Sequence, residues 1–476
     1  MVAESFNTRA LIGADWVQTA KTFEVVSPYS GQALAQVADC GEAEAHRAVE
    51  AAVEAFQAWR ETTAYERSSL LERWHHRIQQ DELYLARLIA LEMGKPVSEA
   101  QGEVRYAASF VKWYAEEAKR IYGEMVPSQF PHKRLLVLKA PVGPVYGITP
   151  WNFPAAMATR KLGPALAAGC TFILKPAEQS PLTALRLAEL WLEAGGPPGT
   201  LQVLPCADPV PLTRVMMAEE RIRKLTFTGS TEVGRLLTQQ SAATLKRVSM
   251  ELGGHAPYLI FEDADLEKAV RDVVACKFRN AGQTCVCTNR VYVQRSILEA
   301  FARKLVEAVE GLTVGDPLEA STQIGPLVDA QGLEKVKGHV ADAQQKGATV
   351  LTGGRAGQGL FYLPTVLAGV NPSMKIMQEE TFGPVVPLLA FETEEEALAA
   401  ANASPYGLAA YLWTQNLSRA IRLAERLEYG IVGLNDAVPS TAQAPFGGVK
   451  ASGYGREGGH WGLEEYLSVK YVSLGV

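Results

Sequence analysis

From about residue 134 the chain alternates short apolar runs with amphipathic stretches, and this alternation restricts it more than any other feature. RLLVLKAPVG, VYGIT, TFILK, LQVLP and KLTFTG have the length and character of strands, and LTALRLAELWLEAGG between two of them reads as a helix. Strands separated by helices predict βαβ units, and hence a parallel, doubly wound sheet. Past residue 250 the alternation restarts with APYLIF, DLEKAVRDVVACKF, RVYVQ and LEAFARKLVEAVEGL, which predicts a second α/β domain. The first third reads as helix. Val49, Val53 and Phe56 fall at i, i+4 and i+7, Leu71, Trp74 and Ile78 repeat that stripe, and MGKP supplies a Gly-then-Pro stop. A third helix runs through RYAASFVKWYAEEAKR. The tail EEYLSVKYVSLGV reads as a terminal strand, which either pairs with another subunit or forms an edge of its own.

A chain of 476 residues has room for two or three domains and an ample core. Its cysteines (Cys40, Cys170, Cys206, Cys276, Cys285 and Cys287) are too sparse for a disulfide scaffold and fit a reducing compartment. A net charge of −6 gives no field that favours nucleic acid. MVAESFNTRALIGADW lacks a basic segment followed by an apolar run. The most apolar stretch, GPALAAGCTFIL, is far shorter than the roughly 20 residues of a membrane span. A soluble cytoplasmic protein is expected, with neither nucleic acid nor membrane as a partner.

Several short stretches carry chemistry. In FTGSTEVG a strand ends at Gly229, and Ser230 and Thr231 open a helix whose free N–H groups suit a phosphate. Alone, this is equally a turn with a serine cap, and it is not the GxGxxG fingerprint. In LKPAEQSP, Lys175 and Glu178 follow an apolar strand, at the edge where open α/β sheets bind ligands. A carboxylate there accepts hydrogen bonds from ribose hydroxyls and repels a 2′-phosphate; the plainer reading is a solvated loop. In TPWNFP, Asn152 is either a turn residue or a rigid amide donor for a developing oxyanion. In SMELGGHAP, Glu251 stands before two glycines, as a general base or as an exposed charge.

FRNAGQTCVCTNR places Cys285 and Cys287 one residue apart. One CxC cannot complete a four-ligand zinc site, no other cysteines are paired in spacing, and the seven histidines are scattered, so no metal is expected. A disulfide between thiols this close would be labile. What remains is a nucleophile, or a small buried hydrophobe.

Together TPWNFP, LKPAEQSP, FTGSTEVG, ELGG, GQTC, EETFGP and PFGGVKASGYGRE resemble, in type and order, the aldehyde dehydrogenase superfamily over essentially the whole chain. RNAGQTCVC with PWNFPAAMATRK is most similar to the succinate-semialdehyde dehydrogenases. The resemblance implies two doubly wound α/β domains and a small β oligomerisation element. Residues 1–120 and 142–246 would form the dinucleotide-binding domain, 247–458 the catalytic domain, and 121–141 with 459–476 the oligomerisation element of a homodimer or homotetramer. It implies Cys285 as the nucleophile that forms a thiohemiacetal and then a thioester, Asn152 as oxyanion donor with the Cys285 N–H, and Glu251 as the base that activates water. Cofactor contacts would come from Thr149, Trp151, Lys175, Glu178, Gly229, Ser230, Val233, Leu252, Glu380 and Phe382. Glu178 points to NAD, with NADP possible because this carboxylate can swing aside.

Arg160, eight residues after Asn152, and Arg279, six before Cys285, match the arginines that grip the substrate carboxylate in succinate-semialdehyde dehydrogenases. Ser440 matches the accompanying serine, with Thr441 beside it as a competitor. Arginine suits the task because its planar fork pairs bidentately with a carboxylate; the plainer reading is two structural ion pairs at the surface. Some relatives join the equivalent of Cys287 to the nucleophile in a reversible disulfide, which gives Cys287 a redox reading here. His255 stands where many members have Asn. LPCADP lacks a glycine common near the adenine, and Pro439 marks an unusual loop at the substrate mouth. The expected reaction is NAD(P)-dependent oxidation of succinate semialdehyde to succinate. The alternatives are glutarate semialdehyde or a neutral aldehyde, a coenzyme A-acylating relative, which Glu251 argues against, and a non-catalytic protein that keeps the fold.

Overall fold

The computed structural model describes residues 6–476. The reading of the N-terminus as free of a leader covers residues 1–16 and falls partly outside the described residues. An eight-stranded sheet runs in the order Asp15–Val17, Ala10–Ile12, Leu201–Val203, Phe172–Lys175, Val145–Ile148, Lys224–Thr228, Arg247–Glu251 and Gly453–Tyr454. Its five central strands are parallel. They are buried on both faces, which is why they read as continuous apolar runs. The strand order reverses between Val145–Ile148 and Lys224–Thr228, so the loops after these two strands face each other across a topological switch point, where open sheets bind ligands.

A seven-stranded sheet runs Thr349–Thr352, Thr365–Ala368, Val385–Phe391, Thr288–Gln294, Ala256–Ile260, Ala409–Trp413 and Ile431–Leu434, parallel except for its first member. The chain passes from the first sheet to the second through residues 252–255. Arg247–Glu251 therefore lies in the first sheet, a few residues beyond the boundary expected at 246/247.

A three-stranded antiparallel sheet joins Leu467–Gly475, Lys133–Pro141 and Glu124–Val126. The terminal strand thus pairs within its own chain, with Lys133–Pro141. The two segments expected together in one small β element, 121–141 and the chain's terminal strand, thus share this sheet. The helical first third holds four helices, not three: Leu71 and Ile78 lie in Ala64–Gln80, and the Gly-then-Pro stop ends a separate helix, Glu82–Met93. Strands at Ala10–Ile12, Asp15–Val17, Thr22–Val26 and Ala33–Ala38 precede them.

The helix Pro154–Ala168 is buried along its whole length, as expected for one with little polar character on any side. It therefore carries Arg160 and Lys161 into the interior, where each cation needs a partner. No helix among the described residues is long and apolar enough to cross a membrane.

Candidate active site

Loops at the carboxyl ends of the first sheet build a long cleft. One part, about 810 Å³, is lined by Thr149, Trp151, Lys175, Glu178, Gly229, Ser230 and Val233. It shares Trp151, Gly229 and Ser230 with a second part of about 360 Å³, which adds Asn152, Leu252, Cys285, Glu380 and Phe382. All ten residues expected at a dinucleotide thus line one continuous groove.

Most polar groups of the groove have partners within the chain. Lys175 Nζ is paired with the Glu178 carboxylate. Ser230 caps the helix Thr231–Ser241 by accepting the Val233 N–H at 3.2 Å. Glu380 accepts the Gly254 N–H at 3.0 Å, and burial pushes its carboxyl up to about 7. Phe382 holds left-handed backbone (φ 56) and sets its ring edge-on to Trp151 at 5.6 Å. The groove fits a dinucleotide: it has the volume, an apolar Val233 side, a helix N-terminus and a carboxylate at a strand end.

Cys285 lies in the loop between the helix Leu266–Phe278 and the strand Thr288–Gln294. Asn280 (φ 52), Ala281 (φ 53) and Gly282 (φ 76) turn the chain with three consecutive left-handed residues. For Ala281 this costs about 1–2 kcal/mol. The strain is held by tertiary contacts: Glu99 accepts the Asn280 N–H at 2.7 Å, and Asn280 Nδ2 donates to the carbonyls of Asn152 and Gln283, both at 3.1 Å. The Asn152 loop and the Cys285 loop are thereby locked together. A Cβ at Gly254 would collide with the Cys285 carbonyl oxygen, which accounts for the second glycine of ELGG. Asn152 Nδ2 spends one N–H on the Gln283 carbonyl, at 3.1 Å, and keeps its other. Burial pushes the Cys285 thiol up to about 12, while the charge of Arg160 opposes the shift.

Cys285 also lines a third cavity, of about 320 Å³, on its other side. Arg160, Arg279 and Ser440 all line this cavity. Arg160 is buried, with Nη2 2.6 Å from Glu457 and its guanidinium 3.8 Å above the Phe446 ring. Phe446 and Glu457 exchange backbone hydrogen bonds of 2.7 and 2.8 Å, so both supports of Arg160 are fixed as one unit. Glu457 also takes Lys161. Burial disfavours its charge, but Lys161 and Arg160 outweigh that and hold its carboxyl below the ordinary range. Neither arginine makes the surface ion pair that was the plainer reading. Arg160 Nε and Arg279 Nε are buried without a partner, an arrangement that costs about 1–3 kcal/mol per group unless a ligand supplies the acceptor.

Two expected residues stand apart from the cavities. Glu251 is buried and lines neither of the two cavities that Cys285 lines. Burial, and then repulsion by Glu457, holds its carboxyl well above the ordinary range. Cys287 is buried, its Sγ 3.3 Å from the Gly282 carbonyl, and lines neither cavity; all six cysteines are free. His255 is a neutral core residue: its Nε2 is 3.1 Å from the Ile376 carbonyl, and burial and the nearby Arg290 charge hold its pKa well below normal. Among the described residues no group of His, Cys, Asp and Glu is placed to hold a metal ion.

Sequence reasoning missed Tyr106, Glu99, Glu103, Thr284 and Phe446, which line the third cavity. One signal was available. Glu99, Glu103, Tyr106 and Phe110 fall at i, i+4, i+7 and i+11 of one helix, so polar groups share a stripe with a buried aromatic. Glu103 is neutralised by Lys95 and accepts the N–H groups of Ala155 and Ala156. Burial raises the Glu99 carboxyl, which favours its neutral form.

Comparison with known proteins places the whole chain among related ones. The aldehyde dehydrogenase family description matches residues 16–472. The chain is 49% identical over 475 residues to the NADP-linked succinate-semialdehyde dehydrogenase GabD of Escherichia coli, covering 99% of this chain and 98% of that one. It is also 49% identical to a glutarate-semialdehyde dehydrogenase of Pseudomonas putida, covering 100% and 99%. A crystal structure of an Escherichia coli NADP-dependent enzyme superposes with a TM-score of 0.98 at 49% identity, over 99% of this chain and 98% of that one.

Proposed function

The chain belongs to the aldehyde dehydrogenase family, and from that premise we propose that it oxidises a short aldehyde bearing its own terminal carboxylate, with succinate semialdehyde as the foremost substrate and glutarate semialdehyde as the alternative. One observation carries this reading: Cys285 lies at the junction of two cavities, one lined by the dinucleotide contacts and the other by Arg160, Arg279 and Ser440. A substrate held by its carboxylate between the arginines would lay its aldehyde end against the sulfur. The names of the relatives support either acidic substrate.

In the proposed mechanism Cys285 reacts as its thiolate, its proton having passed to solvent, and the sulfur bonds to the carbonyl carbon. The carbonyl oxygen becomes an oxyanion, held by the free N–H of Asn152 and the Cys285 backbone N–H. A bound dinucleotide supplies the acceptor for the hydride lost from that carbon. The thioester left on Cys285 is attacked by water, whose proton goes to Glu251; the acid departs and the thiolate is restored. For this Glu251 turns from its buried place beside Glu457 toward the cavity. Burial and the neighbouring Glu457 make its carboxylate a stronger proton acceptor than an ordinary one.

NAD is the proposed preference, because the Glu178 carboxylate, which holds Lys175, would repel a 2′-phosphate. The three-stranded sheet exposes Met125, Leu138, Val469 and Tyr471. Apolar surface of this kind supports self-association into a homodimer or homotetramer.

The test measures NADH and NADPH formation across aldehydes with and without a terminal carboxylate, for the parent and for Arg279→Ala. The parent should favour succinate semialdehyde over hexanal. Arg279→Ala should lower kcat/KM for the acidic aldehyde by about 10²-fold, the size of losing a desolvated charge pair, and leave hexanal within a few-fold. A parent that prefers hexanal would sink the reading.

A further inference from the structure

Tyr106 lies on the helix Val97–Glu117 and lines the cavity that Cys285, Arg160 and Arg279 share. Its Oη is out of contact with solvent and has no hydrogen-bond partner. The ring is held in place: it meets Phe110 edge-on at 4.9 Å and 72°, and Phe110 in turn lies 5.7 Å beneath the Arg160 guanidinium. A phenol in this position is close enough to Arg160, Arg279 and Cys285 for their charges to act on it. Burial raises its pKa, more than the two arginines lower it, so the hydroxyl keeps its proton and remains a donor. A buried hydroxyl left unpaired in the free protein is favourable only where a ligand brings the acceptor. Here the ligand that fits is the anionic end of the substrate, already required by the two arginines.

We propose that Tyr106 is a further specificity-determining residue of this enzyme, donating a hydrogen bond from its Oη to the terminal carboxylate gripped by Arg160 and Arg279. The inference rests on the acidic-substrate reading above. A site built to hydrogen-bond one group discriminates strongly against analogues that lack it, because its own polar atoms are then left unpaired. An uncharged aldehyde leaves the Tyr106 hydroxyl as it is in the free protein, whereas an acidic one satisfies it.

The experiment uses the full chain and Tyr106→Phe, which keeps the ring and removes only the hydroxyl. With succinate semialdehyde, kcat/KM should fall about 10- to 100-fold, the range for a hydrogen bond to a charged group, mainly through KM. With butanal it should stay within about twofold. The product analogue succinate, titrated calorimetrically against the dinucleotide-bound enzyme, should weaken by a similar factor. The ligand-free variant should melt at or above the parent temperature, since no folded-state hydrogen bond is lost. Equal losses on both aldehydes, or a melting temperature lowered by several degrees, would assign the hydroxyl a structural role and overturn the proposal. Arg279→Ala run alongside separates the two readings. If Arg279→Ala loses acidic and neutral aldehydes equally, the acidic-substrate reading falls and the Tyr106 proposal with it. If Arg279→Ala discriminates and Tyr106→Phe does not, the Tyr106 proposal alone fails.

Discussion

The groove on one side of Cys285 and the cavity on the other are built on opposite plans. In the groove Lys175, Glu178, Ser230 and Glu380 are each engaged within the chain; Asn152 Oδ1, Gln179 Oε1 and Thr228 Oγ1 are its exceptions. In the cavity Arg160 Nε, Arg279 Nε, Tyr106 Oη and Thr284 Oγ1 are buried and unpaired. A satisfied group must release one partner to take another, so exchange there is nearly neutral and tolerant of variation. An orphaned group gains the whole interaction when the right ligand arrives and stays uncompensated with the wrong one. The groove can therefore hold a common dinucleotide by many modest contacts, while the cavity selects its guest by a few strong ones.

The comparison meets its hardest test where the two regions join. Replacing Cys285 by Ala should reduce aldehyde oxidation to background while dinucleotide binding, followed by fluorescence quenching, persists. Turnover that survived the change would remove the sulfur from the chemistry and break the division at its centre. The next largest effect belongs to Asn152, whose backbone carbonyl takes Lys95 Nζ and Asn280 Nδ2 and which lines the same part of the groove as Cys285. Asn152→Ala should lower kcat about 10²- to 10³-fold, the usual loss for one oxyanion donor, with little change in KM for the dinucleotide. A KM effect with kcat intact would make Asn152 a part of the binding surface instead.

Much of this division could be read from the chain before its fold was known, and the exceptions have physical causes. The central parallel strands were legible because strands buried on both faces are apolar throughout. The strands between Ala10 and Ala38 were not: Ala10–Ile12 is buried but only three residues long, and Asp15–Val17, Thr22–Val26 and Ala33–Ala38 are short and partly exposed. Lys133–Pro141 was legible as a strand from its own residues, but its place beside Leu467–Gly475, more than 300 residues away, came only from the family resemblance, because no local pattern pairs segments so distant. At the site, Cys285 and Asn152 were legible because each stands in a short, distinctive motif. Tyr106 was not, because in sequence it is one more residue of an amphipathic helix, and only tertiary packing brings it into the cavity that two arginines line. Arg160 was legible as a candidate, but its pairing with Glu457 joins residues about 300 positions apart, beyond the reach of any local pattern.

The smallest expected effect lies at the far end of the groove and tests its tolerance. The Glu178 side chain is 34% exposed and bound to Lys175, so it sits in an environment of intermediate polarity. There a unit charge about 4 Å from another contributes between about 1 and 4 kcal/mol, and less as salt rises. Glu178→Gln removes the repulsion toward a 2′-phosphate and frees Lys175 to meet it, while an amide still accepts a ribose hydroxyl. The ratio of kcat/KM for NADP to that for NAD should therefore rise about tenfold at low salt, with most of the gain on the NADP side, and should shrink at high salt. Succinate semialdehyde should keep its preference over hexanal in the variant, because nothing at Glu178 reaches the cavity of Arg160 and Arg279. A change in aldehyde preference would mean that the two regions are coupled through Cys285, and that the orphaned donors of the cavity are arranged by the nucleotide as well as by the fold.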